Sequence, residues 1–247
     1  NTETSDQPST SAAVEKDALA FDAAGRLMVG RRLSEEHITV RAFDGLTGKS
    51  LWWFNGDATV GLTVASDGML YALRSGQNRI TRLDPATGKI APWGDMDYGH
   101  FALKDAKTWS GLAALGDLIF YTDTPNNAVR VGTLLQPEPA GAIEVPAPSS
   151  PSADAKTSTL WVISGENSLV AISPDGRIIA QSQSVPGPVA LAARGGRLAV
   201  ASSLTGKVHF FDASDPANLK PAGTLGRGDG PDGRVLPDRF FFQKGAM

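Results

Sequence analysis

Three histidines, a knot of aspartate and asparagine, and five tryptophans are the side chains of this sequence with chemistry to offer. Imidazole nitrogens suit zinc or copper, but a metal site needs ligands that converge on one ion. His37 sits in a turn beside Glu35 and Glu36, His209 falls inside a strand-like run, and His100 lies near a repeat boundary. They are expected not to share an ion. Asp123 with Asn126 and Asn127 offers hard oxygen donors of the kind calcium takes. The same residue types also close tight turns by bonding their own backbone, and that reading stands beside the first. Asp229 and Asp232, with Asp238, are a second calcium candidate, although their spacing does not follow the alternating ligands of a helix–loop–helix calcium loop. Arg227-Gly228-Asp229 spells a candidate adhesion tripeptide. Trp52, Trp53, Trp93, Trp109 and Trp161 are candidate platforms for sugars or quinones. Trp52 and Trp53 are adjacent, so on one strand they point to opposite faces and one of them belongs to the core. No nucleophile–base pair and no phosphate-binding loop is visible, and no catalytic residue is assigned.

The elements that must position these side chains repeat. Phe43-Asp44-Gly45-Leu46-Thr47-Gly48-Lys49 returns as Leu83-Asp84-Pro85-Ala86-Thr87-Gly88-Lys89, in step at 40 residues. Each copy lies between short apolar segments, and a period of this size marks one supersecondary unit copied along the chain. The first unit reads as strands at 18–21, 26–32, 38–43 and 50–54, and the second at 60–65, 69–74, 79–83 and 90–93. The third follows at 112–115, 118–122, 128–134 and 141–145. The fourth has strands at 160–164, 168–172 and 177–181, opening near 153–157. The fifth has strands at 189–193, 197–201, 207–211 and 221–225. Second strands align on Leu27, Leu70, Leu118, Leu160 and Leu198, at spacings of 43, 48, 42 and 38 residues. Four short strands per repeat, without a helical period, specify an all-β fold, a β-propeller of four-stranded antiparallel blades. The near-continuous apolar runs suit sheets buried on both faces. A sandwich would not need so regular a step.

Short resemblances accompany the repeat. Asp-x-x-Thr-Gly-Lys ahead of Ser50-Leu51-Trp52-Trp53-Phe54 resembles the blades of quinoprotein-type (PQQ-like) propellers, and 89–93 follows that pattern less closely. Phe120-Tyr121-Thr122-Asp123-Thr124-Pro125-Asn126-Asn127-Ala128-Val129 resembles the NHL repeat. Gly226-Arg227-Gly228-Asp229-Gly230-Pro231-Asp232-Gly233 is similar to the glycine-rich loop between NHL blades. The resemblance implies a blade scaffold. For Asp123 and Asn126 it also implies calcium ligation of the kind lactonase-like propellers use near the axis. The catalytic aspartate and calcium ligands of quinoprotein dehydrogenases have no match in this chain, so that likeness ends at the blade.

Composition narrows the function. The net charge is −3 with no long run of either sign, which argues against nucleic acid as a partner. No apolar stretch is long enough to insert in a membrane as a helix. The absence of cysteine excludes disulfides and thiolate-ligated metals. Residues 1–16 have linker composition, and with no initiating methionine the chain reads as a mature or excised piece, or as a cut made at that point.

The expected organisation is a linker at 1–16 and a propeller at 17–247. Its blades are at about 17–56, 57–98, 99–146, 147–185 and 186–226, and 227–247 starts a sixth, truncated blade of a longer parent. Residues 137–152, with five prolines, read as a stiff connection inserted between blades three and four and a candidate contact loop. Phe240, Phe241 and Phe242 need cover, either on the first blade near Leu19 and Phe21 or from the rest of the parent or another subunit. The functional expectation is an extracellular or periplasmic, non-catalytic scaffold whose loops hold a protein or carbohydrate, without a cofactor. The alternative is a lactonase-like or quinoprotein-like enzyme with calcium in the central channel.

Overall fold

A computed structural model describes residues 18–30, 38–56, 59–94, 98–104 and 106–226. Among these residues, twenty strands form five separate four-stranded sheets. Blade one is β1 (Ala18–Phe21), β2 (Arg26–Gly30), β3 (Ile38–Asp44) and β4 (Ser50–Asn55). Blade two is β5 (Gly61–Val64), β6 (Leu70–Arg74), β7 (Arg79–Leu83) and β8 (His100–Ala102). Blade three is β9 (Trp109–Leu115), β10 (Leu118–Asp123), β11 (Ala128–Thr133) and β12 (Gly141–Glu144). Blade four is β13 (Pro148–Asp154), β14 (Thr159–Ser164), β15 (Ser168–Ile172) and β16 (Ile178–Ser182). Blade five is β17 (Pro188–Arg194), β18 (Arg197–Ser202), β19 (Lys207–Asp212) and β20 (Lys220–Leu225). Every sheet is an antiparallel meander in chain order, and the first strands of successive blades lie side by side. The fold is the five-bladed propeller that the 40-residue period anticipates. The linker expected at 1–16 and the sixth blade expected to start at 227–247 lie outside the described residues.

Apolar residues hold the blades together face to face. One cluster joins blades one and two through Met28, Val40, Trp52, Leu62 and Leu70. A second joins blades two and three, where the rings of Tyr71 and Trp93 stand 4.9 Å apart and those of Trp109 and Tyr121 4.6 Å. Blades three and four share Phe120, Val129, Leu160 and Val162, while blades four and five share Trp161, Ile163, Leu198 and Phe211. Strands β6, β14 and β15 are buried on both faces, which is why their sequences do not alternate.

The observed register corrects several expectations. In blade three the residue equivalent to Leu70, Leu160 and Leu198 is Ile119, not Leu118. Leu198 is the second residue after the Gly195-Gly196 turn, pairing with Ala193, whereas Leu118 directly follows Gly116-Asp117 and pairs with Leu115. A one-residue slip turns a side chain to the opposite face. Ile119 therefore packs toward blade two and Leu118 toward blade four.

In blade two the fourth strand is β8 rather than 90–93. Ile90 makes only an isolated bridge to Leu83, and the Ala91 N–H donates to the Arg82 carbonyl at 3.0 Å. Pro92 then offers no N–H to continue a ladder, and β8 pairs with β7 from Thr81↔His100 to Arg79↔Ala102. The blade thus runs past the boundary expected at 98.

Residues 137–152 are not an inserted connection either, since they contain β12 and most of β13. Pro148 and Pro151 are accommodated because β13 is an edge strand, bulged between Ser149 and Ser152. The opening strand of blade four is accordingly 148–154 and not 153–157.

Candidate functional site

The repeated Asp-x-x-Thr-Gly-Lys phrase forms a self-contained turn. Asp44 Oδ1 accepts from the Leu46 and Thr47 amides at 3.1 and 2.8 Å and from Thr47 Oγ1 at 2.8 Å. The Gly48 N–H donates back to the Asp44 carbonyl at 2.8 Å, with Gly48 at φ 69°. Asp84 repeats the arrangement with Ala86, Thr87 and Gly88. These amide and hydroxyl donors hold the Asp44 carboxyl below its ordinary range, the Thr47 amide first among them. Both aspartates are occupied in shaping turns.

The second copy of the turn also cradles a neighbour. Trp52 Nε1 of blade one donates to the Pro85 carbonyl of blade two at 3.0 Å, and its ring lies where a Cβ on Gly88 would stand, 2.5 Å from Trp52 Cε3. Trp93 makes the corresponding bond to the Leu134 carbonyl of blade three. Trp52 is 8% exposed and Trp53 is 62% exposed, as adjacent residues on one strand must divide. The fourth seam is tied differently: the Asp154 carboxylate of blade four accepts from the amides of Gly195 and Gly196 in blade five, the first at 2.9 Å. Asp154 carried no sequence signal beyond its position near a turn.

Asp123 closes β10 and is buried. Thr108 Oγ1 donates to its Oδ1 at 3.0 Å, and Asn126 Nδ2 reaches both carboxylate oxygens at 2.9 Å. Arg130 Nε and Nη2 donate to Oδ2 at 3.1 and 3.0 Å. Asp123 and Asn126 are thus brought together, with the Arg130 guanidinium supplying the positive charge that the carboxylate meets. Asn127 turns left-handed at φ 51° and accepts the Ala147 amide at 2.8 Å through its side chain.

His100 Nδ1 is 2.9 Å from Thr81 Oγ1 in blade two, and His209 Nε2 is 3.0 Å from Thr205 Oγ1 in blade five. Burial lowers the pKa of both imidazoles, aided by Arg79 and Arg74 at His100 and by Lys207 at His209. Among the described residues no group of three or more His, Asp or Glu side chains is placed to hold a metal ion. His37, Asp229, Asp232, Asp238, the Arg227-Gly228-Asp229 tripeptide and Phe240 to Phe242 lie outside the described residues.

A broad concavity lies on the rim between blades three and four. It measures about 820 Å³ and is lined by Val131, β12 and Pro146 on one side and by Pro174, Asp175, Gly176 and Ile178 on the other. Ile143 and Ile178 give it apolar walls. Glu144 is solvent-exposed, while Asp175 is paired with Arg177 at 2.7 Å. Among the described residues, β12 is an edge strand whose outer side carries no further strand of its sheet. Sequence reasoning singled out 137–152 for contact, but the opposite wall at 174–178 could be found only once the β15–β16 turn was placed beside it.

No family model matches the chain, and no curated protein matches its sequence. Solved structures do resemble it. A chain of the nidogen/laminin complex is 15% identical, with a TM-score of 0.60 over 85% of this chain and 79% of that one. The β-propeller domain of Cps50 (Swd1) from Myceliophteria thermophila is 14% identical, with a TM-score of 0.60 over 89% and 75%. Virginiamycin B lyase from Staphylococcus aureus is 14% identical, with a TM-score of 0.55 over 84% of each chain. At such identities the likeness establishes the propeller fold alone.

Proposed function

We propose that this chain is a non-catalytic propeller scaffold that works outside the cytoplasm, in an extracellular or periplasmic setting, and holds an extended segment of a protein partner in the rim groove between blades three and four. The observation that carries the reading is the groove itself, which combines size, apolar walls and a free strand edge. A strand added along β12 would pair its backbone with that edge, and alternate side chains would enter the groove between Ile143 and Ile178. Exposed Glu144 favours a partner segment with basic residues beside its apolar ones. The propeller supports such a role by presenting loops and edges on a rigid frame. The likeness to NHL and quinoprotein blades belongs to the same proposal and rests on turn sequences.

The test is to pan a random peptide library displayed on phage against the protein, with the Ile178→Asp and Glu144→Lys variants panned in parallel. Enriched peptides should be apolar and basic, should shift backbone amides of 131–146 and 174–178 in NMR spectra, and should bind each variant at least about tenfold more weakly, a loss of about 1.4 kcal/mol. Failure to enrich, or binding indifferent to both substitutions, refutes the reading. The scaffold is proposed to act without a cofactor. Stoichiometric calcium in elemental analysis of the purified protein would instead favour the lactonase-like alternative.

A further inference from the structure

Blade one has an apolar face that no neighbouring blade covers among the described residues. Ala18, Ala20, Met28 and Ala42 pack on blade two, so the alternate residues of the same strands look the other way. Leu19 and Phe21 lie on that face in β1, Leu27 in β2 and Phe43 in β3, joined by the pairings Phe21↔Leu27 and Leu27↔Phe43. The equivalent pairs are Leu70 with Leu83 in blade two, Leu160 with Ile172 in blade four and Leu198 with Phe211 in blade five. Each of those six side chains is at most 3% exposed, because the preceding blade lies on it. In blade one Leu27 and Phe43 are only half-buried, while Leu19 is 41% and Phe21 56% exposed.

The seam at this face is unmade. Among the described residues β17 does not lie beside β1 as the first strands of the other neighbouring blades do, and no apolar cluster joins blade five to blade one. Blade five has a free face of its own. Phe211 packs toward blade four, so Phe210 and Val208 look the other way, with Phe210 37% exposed. Contiguous apolar faces of this kind mark surfaces that bind another one.

We propose that residues 234–242 of this chain, which lie outside the described residues, seat between these two faces and cover Leu19, Phe21 and Leu27. Where an earlier blade ends, three to six residues carry the chain from its fourth strand to the first strand of the next blade. Twenty-one residues follow Gly226. The eight from 226 to 233 span up to about 26 Å at roughly 3.3 Å each, against about 10 Å between packed sheets, so the segment reaches the gap. It brings Val235, Leu236 and Phe240 to Phe242. Consecutive apolar residues suit a strand that meets a sheet on each side. Between the faces of Phe210 and Phe21, Phe240 and Phe242 find contact on one side and Phe241 on the other. The tether favours this occupant over a second copy, because the contact forms within one molecule at a high effective concentration. The face is separate from the rim groove between blades three and four and does not depend on it.

The chain has no cysteine, so Lys244→Cys accepts a single nitroxide label just beyond Phe242 in the otherwise complete protein. In the ¹⁵N-labelled chain carrying it, the backbone amides of 19–21 and 27–29 should broaden and those of blade three should not, and reducing the nitroxide should restore them. Adding Phe240→Ser and Phe242→Ser should abolish the broadening. A mixture of ¹⁵N chain without the nitroxide and unenriched chain with it reports contacts between molecules, and its blade-one amides should stay sharp. Lys244→Cys replaces no apolar side chain, so the first measurement stands by itself should the double variant fail to fold. Blade-one amides that stay sharp in the labelled chain overturn the proposal, as expected if a partner protein or nothing covers the face. So does broadening that the mixture reproduces, which assigns the face to a second copy, or broadening that survives the two serine substitutions.

Discussion

Replacing Ile119 by alanine should destabilise the protein more than replacing its neighbour Leu118. Ile119 is fully buried among Leu73, Leu112 and Tyr121 in the seam between blades two and three. Truncation removes three carbon groups, worth about 0.8 kcal/mol each on transfer, or about 2.4 kcal/mol. The cavity left behind raises the expected cost into the range of about 2–5 kcal/mol. Leu118 is only half-buried against the other seam, so roughly half the transfer value, about 1 kcal/mol, is expected. Urea titration followed by tryptophan fluorescence measures both, provided the slope is unchanged between variants. In a thermal melt the difference corresponds to several degrees, at about 2–4 °C per kcal/mol for a domain of this size. If Leu118→Ala costs as much as Ile119→Ala, the two side chains do not divide between a buried and a half-buried face, and the register of β10 that requires this division is wrong.

Two further outcomes follow from the turns and the histidines. Gly48 and Gly88 share a left-handed backbone, at φ 69° and 70°, but only Gly88 lies against Trp52. Gly48→Ala should cost about 1–2 kcal/mol from backbone strain, and Gly88→Ala clearly more, read as a lower urea midpoint; equal losses would refute the docking role of that turn. His100 and His209 have pKa values lowered by burial and nearby cations, so the folded chain takes up their protons less readily than the unfolded chain. Their contribution is therefore present above the ordinary value of 6.5 and is lost as the pH falls below it. Melting temperature should fall on acidification through that window, and the double variant His100→Gln, His209→Gln should flatten the profile; an unchanged profile would contradict this.

The sequence by itself determined the blade and its repetition. A four-strand unit has to alternate between apolar runs and turns, and Asp44 and Asp84 with their Thr-Gly-Lys partners encode a turn through bonds spanning only a few residues. Such local chemistry is legible without knowing the neighbours, and so is the division of Trp52 and Trp53 between two faces. Tertiary structure decided what depends on the seams. Leu118 and Ile119 are both apolar, and only the length of the β9–β10 turn settles which faces blade two. Trp93 looks like a strand residue until Pro92 interrupts the ladder and β8 takes its place. Asp123 and Arg130 lie on neighbouring strands, and their pairing fixes what the carboxylate meets. The groove beside β12 forms between blades, where residues as far apart in sequence as Ile143 and Ile178 come face to face. Spacing along one chain does not report how two sheets fit, because that depends on the shapes of both faces at once.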